Sequence, residues 1–203
     1  MPSPRTLAIW GILTGLIGWA LFEAATSPLL QWREPIYIGA AFAGVIGMAL
    51  LLIQPLLAAG LFPGLTPVHA RRLHRWCGAA LVTALIVHVV GLWITSPPDV
   101  IDALTFTSPT PFAPWGVIAM WAAFGAAGLA VYRRRFKLHQ WRLGHSALVA
   151  IVAIGTVIHA FLIDGTMGTV SKTVLALACL GALALAVRRM KPWSLLRKRR
   201  AGS

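Results

Sequence analysis

The chain has 203 residues and a net charge of +13; 58% of its residues are apolar and only 11% are charged. Soluble domains carry about 25% charged residues, so this composition excludes an ordinary water-facing surface. The positive charge does not point to nucleic acid either, because the basic residues flank apolar runs and form no basic face of their own.

Six apolar runs approach the ~20 residues that cross a ~30 Å hydrocarbon core. They predict an all-α, six-helix bundle embedded in the lipid bilayer, with residues 1–203 as a single transmembrane domain. The first predicted helix, 6–22, carries Gly11, Gly15 and Gly18, small residues that let a neighbouring helix approach closely. No clear small-x-small cleavage site follows it, so it reads as a membrane helix and not as a removable leader. The second helix is predicted over 35–57 and the third, containing His74 and His88, over 72–94. A Pro-rich loop, 95–114, holds Asp99 and Asp102 and no Lys or Arg. The fourth helix is expected over 115–132, the fifth, with His145 and His159, over 141–163, and the sixth over 170–187, ahead of a basic tail, 188–203. Cys77 and Cys179 each sit inside an apolar run and read as small packing residues. There is no Cys-x-x-Cys-His for covalent haem attachment.

Charge orients the bundle. Of the 18 Lys and Arg residues, all but Arg33 and Lys172 fall on the side where the chain begins and ends. The positive-inside rule then predicts both termini in the cytoplasm, the 95–114 loop outside, and a multi-pass protein of a cell inner membrane. Neither a Gly-x-Gly-x-x-Gly after a strand nor a P-loop occurs, so no nicotinamide, flavin or nucleotide site is visible.

The histidines carry the chemistry. His74 and His88 are fourteen residues apart, and so are His145 and His159. Fourteen residues fall about 40° short of four helical turns and rise ~21 Å, so each pair shares a helix face and spans most of the bilayer. One helix intervenes between the third and the fifth, so these two run parallel. His74 then lies at the depth of His145, towards the cytoplasm, and His88 at the depth of His159, towards the outside. Two imidazoles are too few for a zinc site, which needs about four ligands. They suit a haem, whose porphyrin supplies four nitrogens and leaves two axial positions to the protein. The four histidines are therefore expected as axial ligands of two b haems stacked between the third and fifth helices. With both axial positions filled, such haems suit electron transfer. Gly78 and Gly155 lie one turn from ligands, where a missing side chain makes room for a flat macrocycle, although glycine is common in membrane helices anyway. Leu81 and Val152 mark the midpoints, where apolar packing is expected between the two rings. Arg71, Arg72, Arg75 and Arg142 are within reach of the inner haem's propionates, or equally face lipid phosphates. His69 and His139 read as interfacial.

The stretch His74-Arg75-Trp76-Cys77-Gly78 through His88, with Trp141-x-x-x-His145 through His159-Ala160, resembles the ferric reductase-like transmembrane domain superfamily. This superfamily includes ferric-chelate reductases, NADPH oxidases and the haem-binding membrane subunit of the methionine sulfoxide reductase system. The resemblance covers about 72–164. It implies a six-helix bundle with two b haems held by His74, His88, His145 and His159. Large members add a cytoplasmic flavin- and nicotinamide-binding module that is not seen in these 203 residues. In this it looks more like the standalone membrane subunits, which take electrons from another protein, such as a cytoplasmic flavoprotein, or from quinol. The expected activity is electron transfer across the membrane to an external acceptor, either ferric iron or a periplasmic partner reductase. A haem or ion transporter is the competing reading.

Overall fold

The computed structural model describes residues 3–191, and among them every regular element is helical. Six helices are long and apolar enough to cross a membrane: α1 (Pro4–Ala25), α2 (Pro35–Ala58), α3 (Pro67–Thr95), α5 (Ala113–Val131), α6 (Leu138–Leu162) and α7 (Thr169–Met190). The chain is thus a multi-pass membrane protein, since only closed hydrogen-bonding patterns such as helices satisfy the backbone in lipid. Residues 192–203 of the expected basic tail lie outside the described residues.

Helix starts follow their caps. Ser3 Oγ accepts from the Thr6 N–H at 3.2 Å, and Thr66 Oγ1 accepts from the His69 N–H at 3.4 Å. A proline follows each cap, at the position where its missing N–H costs nothing. The Thr66–Pro67 start moves α3 ahead of the expected residue 72, so His69 lies in its first turn. The 95–114 segment also departs from the expected plain loop. It contains a short helix, α4 (Pro97–Leu104), started by two prolines, with Asp99 in its first turn accepting from the Ser96 hydroxyl.

α2 packs against α1, α3 and α7, α5 packs against α6, and α7 also lies against α1 and α6. The contact surfaces are made of small residues. Ala20, Ala160, Ala176, Cys179 and Ala182 close around Met48, Leu52, Val157 and Leu175, as expected where van der Waals fit replaces the hydrophobic effect in lipid. Cys179 is free and buried, with its thiol aimed at the Met48 carbonyl at 3.6 Å. The glycines of α1 depart from expectation. A Cβ at Gly11, Gly15 or Gly18 would meet nothing within 4 Å, so no helix exploits them, and Leu13, Leu16 and Ala20 pack α1 against the core instead.

Helix ends are tied by side chains from neighbouring helices. Glu23 of α1 accepts from the Gly168 N–H at 3.0 Å and from the Ser171 hydroxyl. It thereby caps the N-terminus of α7, where Gly168 has no side chain to do so. Lys172, buried in α7, donates from Nζ to the Ile163 carbonyl at 3.0 Å, just past the end of α6. Arg142 donates to the Met190 carbonyl at 2.7 Å, at the last residue of α7.

Candidate functional site

α3 and α6 carry the four fourteen-spaced histidines, and neither is closely packed on the other. α3 is clamped to α2, and α6 to α5. All four imidazoles are half-buried. His145 is the imidazole within electrostatic reach of His74, and His159 the one within reach of His88. The proximities follow the pairing expected from the fourteen-residue spacing. Leu81 and Val152 join one apolar cluster with Leu51, Leu85, Ala122, Ala123, Leu148 and Ala153, which divides the inner histidines from the outer ones.

The clamping helices determine which ring nitrogen is free. His88 Nδ1–H donates to the Ala40 carbonyl of α2 at 2.8 Å, and His159 Nδ1–H donates to the Phe112 carbonyl at the head of α5 at 2.9 Å. His74 Nδ1–H donates to the Gln54 carbonyl of α2 at 3.2 Å. A carbonyl only accepts, so Nδ1 bears the proton in each case and the Nε2 lone pair remains available as a ligand. This is the outer-shell bond that orients metal-binding imidazoles and raises their basicity.

The two outer histidines share one construction. Gly44 follows Ala40 by one turn, and a Cβ on it would lie 3.1 Å from His88 Nδ1. Gly116 follows Phe112 by one turn, and its Cβ would lie 2.7 Å from His159 Nδ1. Each glycine removes the side chain that would keep the imidazole from the helix backbone. Acceptor and glycine thus recur 72 residues apart, close to the 71-residue offset between the histidine pairs.

The inner pair is less symmetric. Gln54 holds His74 twice, because its side-chain Nε2 also donates to the His74 carbonyl at 3.2 Å. The Ala126 carbonyl stands beside His145 Nδ1, fourteen residues beyond Phe112. It lies outside hydrogen-bonding geometry, leaving that buried nitrogen without a partner. His145 instead stacks on Trp141, with ring centroids 5.5 Å apart and planes 13° apart.

The other expected site residues have neighbours of their own. Gly78 opens onto Gln54, whose Nε2 would be 2.8 Å from an added Cβ. Gly155 opens onto α5, with the Ala119 Cβ and the Trp115 carbonyl each at 3.1 Å. At both positions the missing side chain lets a neighbouring helix or its side chain approach closely. Arg142 is occupied in capping α7, while Arg75 is exposed on α3. Gln54, Gly44 and Gly116 escaped the sequence reading; the signal available was a glycine recurring at nearly the histidine offset.

Among the described residues, no three His, Cys, Asp or Glu converge on a position for a bare metal ion. Paired imidazoles supply axial donors only, and His74, His88 and His159 keep Nε2 free for that use, which fits a haem.

A family model described as ferric reductase like transmembrane component matches residues 42–156, more than half of the chain. The match includes His74, His88 and His145 and ends three residues before His159. No curated protein and no solved structure matches the chain.

Proposed function

The chain belongs to the family of ferric reductase like transmembrane components, and we propose that it passes electrons across the membrane through two b haems. His74 and His145 hold the inner haem, and His88 and His159 the outer one. One observation carries this reading: three of the four imidazoles donate Nδ1–H to a backbone carbonyl and keep Nε2 free, on two helices that are each clamped to a different neighbour. A polar side chain placed at membrane depth is costly unless it has a function, and no ordinary packing role needs four imidazoles in this register.

His74 and His145, and His88 and His159, would hold the haems, which when bound would supply reversible one-electron chemistry. The protein's own groups do the rest. The Ala40, Gln54 and Phe112 carbonyls hold the imidazole protons on Nδ1 and fix the ring planes. The Leu81–Val152 layer excludes water between the two levels. The basic inner surface, Arg71, Arg72 and Arg75 of α3 with Arg133 to Arg135 before α6, orients the chain with the inner pair towards the cytoplasm. The donor is a cytoplasmic flavoprotein or quinol, and the acceptor is external, either ferric iron or a partner reductase.

The test is an optical spectrum of the purified protein, oxidised and then reduced, with haem counted per chain. Two low-spin, non-covalent haems per chain are expected. A spectrum free of haem, or haem that washes out of the intact protein as a transported ligand would, refutes the reading.

A further inference from the structure

We propose that Trp141 is the positioning residue of the inner ligand His145, replacing with a stacked ring the carbonyl that holds each of the other three imidazoles. The inference rests on the haem reading above.

Four observations converge on it. First, His145 is the exception among the four histidines, with a buried Nδ1 that makes no hydrogen bond. Left alone, an imidazole on one Cβ rotates about two torsions, and the second is a broad sp³–sp² torsion with no sharp minimum. Something else must fix its plane. Second, the Trp141 indole lies one helical turn before His145, and the two planes are within 13° of parallel at 5.5 Å. Residues four apart on a helix meet on one face, and aromatic pairs at this spacing contribute roughly 0.5–1.5 kcal/mol. Third, Trp141 is itself anchored. Its Nε1–H donates to the Leu129 carbonyl at 3.1 Å, one of the last carbonyls of α5, which has no partner of its own within the helix. Fourth, the Arg133 guanidinium lies over the indole, 5.3 Å from the ring centroid. Trp141 is thus held by Leu129 and Arg133 while it contacts His145.

The outer ligands are held differently. His88 and His159 each have a carbonyl at Nδ1 and a glycine that lets the ring approach it. Their planes are fixed by backbone, whereas that of His145 is fixed by a side chain that substitution can remove.

The experiment compares Trp141→Leu and Trp141→Phe with the parent protein. Low-spin haem signals in electron paramagnetic resonance depend on the relative orientation of the two axial rings, and a redox titration resolves the two haems. Trp141→Leu is expected to move the resonance position and midpoint potential of the inner component alone, the one that His145→Ala removes. The outer component should persist, which also shows that the variant has folded. Trp141→Phe keeps a stacked ring and should restore most of the parent signal. An inner component unmoved in Trp141→Leu overturns the proposal while leaving the haem reading intact. A parent protein with no component that His145→Ala removes overturns both.

Discussion

Gly116→Ala tests the outer site with one methyl group. The new Cβ would sit 2.7 Å from His159 Nδ1 and 2.9 Å from Cε1, about 0.7 Å inside the 3.4 Å where ordinary contact begins. The obstacle is a ring held at both ends, by its own helix and by the Phe112 carbonyl, so it cannot swing aside cheaply. Either the 2.9 Å hydrogen bond breaks or α5 and α6 separate. Loss of the bond costs about 1 kcal/mol, and forcing an extra carbon into a packed site typically costs about 1–3 kcal/mol. Changes to the groups that orient a metal ligand lower metal affinity about 10–100-fold. Gly44→Ala is the graded companion, because its Cβ would lie 3.1 Å from His88 Nδ1 and the ring need yield only a few tenths of an ångström. Helix propensity acts in the opposite direction, since alanine is favoured over glycine by about 1 kcal/mol. Gly47→Ala and Gly128→Ala, with nothing within 4 Å, are the controls. The assay is haem per chain and a redox titration in mild detergent. Gly116→Ala should lose most of the outer component, Gly44→Ala less, the controls nothing, and the inner component should stay in all four. Equal retention of the outer component in Gly116→Ala and Gly47→Ala would refute the argument that these glycines admit the imidazoles.

Each histidine replacement has a partner with the same effect. His74→Ala and His145→Ala should both reduce two haems to one and remove the same potential, and His88→Ala and His159→Ala should remove the other. A match between His74→Ala and His159→Ala would break the parallel arrangement of α3 and α6. Arg142→Ala should keep both haems and lose about 1–3 kcal/mol of stability, since a charged donor to the Met190 carbonyl is removed; a lost inner haem would instead place Arg142 on a propionate. A reporter fused after Ser203 should read cytoplasmic and one inserted at Asp99 external, and the reverse at both places would exchange the inner and outer sites.

The membrane bundle was legible in the sequence because the bilayer imposes one length and one polarity on every span, so six apolar runs suffice. That His74 and His88 share one helix, and His145 and His159 another, was also legible, because both pairs lie inside single apolar runs. The α4 helix was not, since a Pro-rich stretch resembles a loop until Pro97 and Pro98 are placed at a helix start. The partners of the imidazoles were hidden for a deeper reason. Every residue carries a carbonyl, so nothing in the letters Ala40, Gln54 and Phe112 marks them as acceptors; only the packing of α2 on α3 and of α5 on α6 selects them. The same packing gave the glycines their roles, turning Gly78 and Gly155 towards neighbouring helices and Gly44 and Gly116 towards the rings. Sequence period determined which residues share a face. Tertiary contact decided what that face meets, because an approach of a few tenths of an ångström between two helices depends on both of them at once.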